Sequence, residues 1–102
     1  MASSEQARTV RYDATFDRQL KELLKRSDTW RLNDVLRGVE WAIATNPRAH
    51  PRVDTTDIRI VKTDHYDGAP PMRIYFSIDA DDHHCSVFEI HEAEHYEEED
   101  ET

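Results

Sequence analysis

The spacing of apolar residues changes twice along this chain, from alternation to a helical period and back to alternation. Val10 and Tyr12 fall on one side of the run from Thr9 to Tyr12, which predicts a short first strand. From Ala14 onward, Phe16, Leu20, Leu23 and Leu24 recur at helical spacing, with Arg18, Lys21, Glu22 and Lys25 opposite them. This predicts an amphipathic helix, with Asp13 or Thr15 available as its N-cap. Ser27 and Asp28 break the stripe and supply the next cap. Leu32, Val35, Leu36, Val39 and Ile43 then repeat it as far as Asn46, where Pro47 stops the helix. A joint this short predicts an antiparallel helical hairpin. Trp30 and Trp41 are eleven positions apart, about 20° of helix rotation, and lie nearly opposite the apolar stripe. A tryptophan on that face either wraps onto a neighbouring element or anchors a partner.

The second half returns to alternation. A connector punctuated by proline (residues 46–53) leads to a strand in which Ile58 and Ile60 alternate with Asp57, Arg59 and Val61, ending at Lys62. Thr63 to Pro71 is a loop. Met72, Ile74, Phe76 and Ile78 then alternate with Arg73, Tyr75, Ser77 and Asp79. After a polar break, Ser86, Phe88 and Ile90 alternate with Cys85, Val87, Glu89 and His91. Together these predict an α+β domain of order β-α-α-β-β-β, in which an antiparallel meander is covered on one face by the two-helix hairpin. The other sheet face should carry a polar row of Arg59, Arg73, Tyr75, Glu89 and His91, and Val61 and Val87 would make it a shallow cleft or docking surface. The expected boundaries are a flexible N-terminus (residues 1–8), a single domain (residues 9–96) and an acidic disordered tail (residues 97–102).

Composition bounds the chemistry. At 102 residues the core is modest, and with no long apolar run nothing is expected to span a membrane. MASSEQART lacks the apolar centre of a secretory signal and Cys85 is the single cysteine, so a reducing cytoplasm is the expected compartment. The net charge of −9 is unevenly placed. Residues 1–63 hold 12 Lys and Arg against 9 Asp and Glu, whereas residues 64–102 hold 1 against 13. An acidic surface repels phosphate backbones, so any nucleic-acid contact needs a local basic patch.

The element order, the helix pair ending at a proline, and Arg73 within Pro-Met-Arg-Ile-Tyr-Phe resemble the RelE/ParE toxin superfamily, and His95-Tyr96 is similar to the terminal His-Tyr pair of its YoeB branch. The resemblance implies a small cytoplasmic toxin of a type II toxin–antitoxin system, a metal-independent endoribonuclease that cleaves mRNA on the ribosome and is neutralised by an antitoxin. On that basis Arg73 would offset charge on the phosphorane, and His95 or His91 would act as base or acid. Tyr96 would stack on the nucleotide, with Arg59, Lys62 and Tyr75 contacting substrate. No cofactor is implied, and a homodimer is compatible with the scaffold. The departure from the pattern is Glu89, Glu92 and Glu94, where the superfamily often carries basic residues.

Two other readings use the same residues. A non-catalytic binding module of the ParE kind would contact a protein through Trp30 and Trp41 or through the polar sheet face. His91-Glu92-Ala93-Glu94-His95 also satisfies H-E-x-x-H, the zinc-peptidase pattern, which requires a helix to bring both histidines to one face. The His83, His84 and Cys85 cluster near Asp79, Asp81 and Asp82 reads as a polar hairpin turn that could also hold a divalent metal.

Overall fold

Each helix begins on an aspartate. Asp13 accepts from the Thr15 amide (2.6 Å) and Asp28 from those of Trp30 and Arg31 (3.0 and 3.2 Å), which satisfies amides that a helix start leaves unpaired. The computed structural model describes residues 7–93. In chain order these form β1 (Thr9–Tyr12), α1 (Ala14–Leu24), α2 (Thr29–Thr45), a 3-10 turn (Pro47–Ala49), β2 (Ile58–Lys62), β3 (Met72–Ile78) and β4 (His84–Glu92). His95, Tyr96 and the acidic tail lie outside the described residues.

The sheet order is β1-β4-β3-β2; the last three strands form the antiparallel meander and β1 runs parallel to β4. Met72, Ile74 and Phe76 of β3 point toward the helices and are 0–1% exposed, together with Leu32 and Ile43 of α2. Phe16 and Leu23 of α1 close the same core. β1 stops opposite Val87, and beyond it the Ile90 amide donates to Gln19 Oε1 of α1 (2.8 Å), so a helix side chain continues the sheet edge. The Tyr12 hydroxyl donates to Glu40 and ties β1 to α2. Burial, reinforced by that carboxylate, pushes the phenol above its ordinary range and keeps it protonated.

Two strands depart from simple alternation. In β2, Arg59 lies opposite Phe76 and Val61 opposite Ile74, so these two face the helices while Ile58, Ile60 and Lys62 face outward. In β4, Val87 pairs with Phe76 and Glu89 with Tyr75, which leaves Phe88 as a bulge. Cys85 and Val87 are therefore core before the bulge and Ile90 after it. The expected cleft residues Val61 and Val87 are thus buried, and Arg59 leaves the polar row. The connector explains the arginine: Arg59 Nη1 donates to the carbonyls of His50 (2.7 Å) and Arg48 (3.4 Å), which bind its guanidinium against the strand.

Gly68 closes the turn from Tyr66 to Ala69 with φ +90°, and its carbonyl accepts from the Asp28 amide (2.8 Å). A Cβ there would stand 2.8 Å from Asp28 Cβ, inside the α2 cap. Gly68→Ala is therefore expected to cost about 1–3 kcal/mol in urea unfolding, a loss that a mere surface turn would not show.

The β3–β4 turn is held by charge. Asp81 accepts from the His83 and His84 amides (2.9 and 3.2 Å) and pairs with His84 Nδ1 (2.7 Å). These contacts, the His83 amide foremost, lower its pKa from 3.8 to about 2. Asp82, in the left-handed region at φ 62°, binds Arg48 (3.0 Å) and Arg8 (3.4 Å), and Arg48 chiefly lowers its pKa. Both carboxylates titrate lower folded than unfolded, so their contribution is present above about pH 4 and is lost as pH falls below it, for Asp81 toward about 2. Asp81→Ala should shrink the fall in thermal midpoint over that window, as followed by circular dichroism; an unchanged pH profile would contradict this.

Candidate functional site

The register fixes what faces outward. Directly paired residues share a sheet face, so Lys62, Arg73 and His91 form one row across β2, β3 and β4. Ile60, Tyr75 and Glu89 form the next row. Neighbouring strands stand about 4.8 Å apart, so the Lys62–Arg73–His91 row spans close to two strand spacings. This is the local basic patch that an acidic chain requires for any phosphate contact, and it is built on three hydrogen-bonded strands.

Arg73 is half-buried, whereas Lys62 and His91 are exposed. The Tyr75 and His91 rings meet edge to face, with centroids 6.0 Å apart. His91 Nε2 lies 3.2 Å from Glu89 Oε1, a contact that orients the imidazole. Nearby carboxylates are engaged too: Asp79 binds Arg11 and Ser86, and Glu89 meets His91. A guanidinium, a primary amine and an imidazole in line can bind a phosphate, offset developing negative charge and move a proton.

Of the sequence-predicted site residues, Arg73, Lys62, Tyr75 and His91 are brought together. Arg59 is not: it faces the helices at the opposite end of β2. His95 and Tyr96 fall outside the described residues. Trp30 and Trp41 do not join this site; they are 87% and 69% exposed on α2. Sequence reading missed Ile60, which stands on the outward face beside Tyr75, and the bulge at Phe88. The bulge at Phe88 leaves no local signature, and Ile60 alternates just as a core residue would.

The metal readings fare differently. His91 and Glu92 belong to β4, not to a helix, so the H-E-x-x-H pattern lacks the geometry that would set two histidines on one face. In the β3–β4 turn, donor atoms of Asp79, Asp81 and His84 lie within 4.8 Å of one another. Arg11, Ser86 and the turn amides already engage the carboxylates, as expected of a polar turn.

No protein-family model matches the sequence, and a search of curated proteins finds no significant match. Solved structures do match. One is a double arginine-to-alanine mutant of the E. coli toxin RelE in the free state, 20% identical, TM-score 0.60, covering 93% of each chain. Another is the intact E. coli RelBE toxin–antitoxin complex, 20% identical, TM-score 0.61, covering 86% of this chain and 99% of that one. A third, the RelE mutant bound to an antitoxin RelB peptide, is 21% identical with TM-score 0.54. At these identities the likeness concerns architecture, and on that evidence the chain has the RelE-like α+β fold.

Proposed function

We propose that this chain is the toxin of a toxin–antitoxin pair and that its open sheet face cleaves RNA. The observation that carries the reading is the row of Lys62, Arg73 and His91 on rigid strands, on a fold whose solved neighbours are a toxin and its antitoxin complex. The 2′-oxygen of the nucleotide attacks the adjacent phosphorus while the bond to the 5′-oxygen breaks. This leaves a 2′,3′-cyclic phosphate and a 5′-hydroxyl. Arg73 binds the non-bridging oxygens, where charge grows, and Lys62 holds a flanking phosphate. His91 exchanges a proton with the attacking or leaving oxygen, and Tyr75 offers a ring for stacking. His95 and Tyr96 keep the roles the resemblance implies.

The substrate is mRNA on the ribosome, and the physiological partner is an antitoxin. Induced expression should arrest growth, and co-expression with a short partner gene encoded beside it should relieve the arrest. Harmless expression at high level would remove the reading. One observation favours a second reading: Glu89 against His91, with Glu92 next in β4, places acid where a nuclease profits from base. On this reading the same face docks a basic segment of a protein without chemistry, and arrest would persist without RNA cleavage.

A further inference from the structure

The outward stripe of α2 is self-complementary. Trp30, Asp34, Arg37 and Trp41 follow one another at intervals of four, three and four residues and so share one helix face. About the midpoint between Val35 and Leu36 the stripe mirrors itself: Trp30 answers Trp41, and Asp34 answers Arg37. Both indoles are exposed, at 87% and 69%. All four side chains lie away from the apolar stripe that α2 turns to the core.

Gly38 adds a second observation. Glycine weakens a helix interior, yet a Cβ at this position would meet nothing within 4 Å, so the packing of a single chain gives no reason for it. With Ala42 one turn later it leaves a trough beside Trp41, part of a groove of about 410 Å³ that Val35, Val39 and Tyr66 also line. The groove is large enough for an indole.

We infer that α2 is the interface of a symmetric homodimer, in which a second copy of this chain lays its α2 antiparallel across this one. The two-fold axis passes level with the Val35–Leu36 midpoint. Each Trp30 then lies level with Trp41 of the other copy, beside the trough at Gly38 and Ala42. Each Asp34 lies level with the other copy's Arg37, and the pair recurs on both sides of the axis, as an isologous contact requires. A parallel arrangement would set Asp34 against Asp34 and Arg37 against Arg37. The charge pattern therefore selects both the partner and its direction.

Light scattering and sedimentation of the full chain, without RNA or ribosomes, test this separately from the toxin reading. The expected mass is about 24 kDa, twice the 12.0 kDa of one chain. Trp30→Ala and Trp41→Ala should each give monomers with an unchanged circular dichroism spectrum. Asp34→Arg or Arg37→Asp alone should weaken dimerisation at least about tenfold, and the double variant should recover it. Gly38→Gln, which fills the trough and favours the helix, should also weaken it. A wild type that stays at one chain's mass at roughly 1 mM would overturn the inference. So would a dimer that survives the tryptophan substitutions, or a charge-swapped double variant that remains monomeric.

Discussion

Phe76→Ala is expected to bring this domain close to its unfolding midpoint at 25 °C. Phe76 is fully buried in the central part of β3, opposite Val87 of β4 and with its ring edge-on to His50 at 5.8 Å. Removing a buried phenylalanine costs about 3–5 kcal/mol, because the ring's transfer energy and the cavity it leaves both count. Small domains have about 5 kcal/mol in all at the lower end of the usual range, so the loss approaches the whole. The environment offers no easy collapse: β3 is paired on both sides, and His50 of the connector packs on Phe76 itself. Urea unfolding followed by circular dichroism measures the effect. A loss under about 1 kcal/mol would mean that Phe76 is not the centre of the core.

Arg73→Ala is expected to do the opposite, sparing the fold and removing the activity. Arg73 points away from the core between Lys62 and His91. The cost in unfolding should stay below about 1 kcal/mol, the range of a cross-strand pair. RNA cleavage should fall about 10²–10³-fold, as happens when a donor aimed at developing charge is lost. Arg73→Lys should recover little, since an ammonium cannot bind two phosphate oxygens in one plane. Lys62→Ala should act mainly on KM, as befits a contact that positions the strand without meeting the reacting phosphorus. A variant at Arg73 that loses stability and activity together would reduce the arginine to a structural role.

These two predictions rest on parts of the fold that differed in how plainly the residues announced them. The helices and β3 were legible because one period holds through each: Phe16, Leu23, Leu32 and Ile43 are core as their spacing predicted, and Met72, Ile74 and Phe76 alternate without interruption. β2 misled because isoleucine, arginine, isoleucine and valine fit either face. The deciding contacts are main-chain carbonyls of the connector, which accept the Arg59 guanidinium on the helix side, and no local pattern encodes them. β4 misled because one extra residue, Phe88, reverses the alternation midway. The expected polar row lost Arg59 to the first of these errors and kept Arg73, Tyr75, Glu89 and His91 on the outward face. Arg73 and His91 lie at paired positions beyond the bulge, and Lys62 follows from the β2 register that the alternation had not fixed.

Burial also settled the tryptophans in a direction that spacing had left open. A helix this amphipathic has one face to give to its own core, and Leu32 and Ile43 occupy it. Trp30 and Trp41 therefore face outward, where the two-fold pattern of Asp34 and Arg37 gives them an occupant.

The central claim is that the Lys62–Arg73–His91 row acts on a phosphodiester. The most direct test adds purified protein to translating ribosomes carrying a defined mRNA, maps the cut positions by primer extension and identifies the new 3′ ends. The wild type should produce discrete cuts ending in 2′,3′-cyclic phosphate, and Arg73→Ala should produce none above background. Intact mRNA with the wild type, or the same cuts from Arg73→Ala, would contradict it.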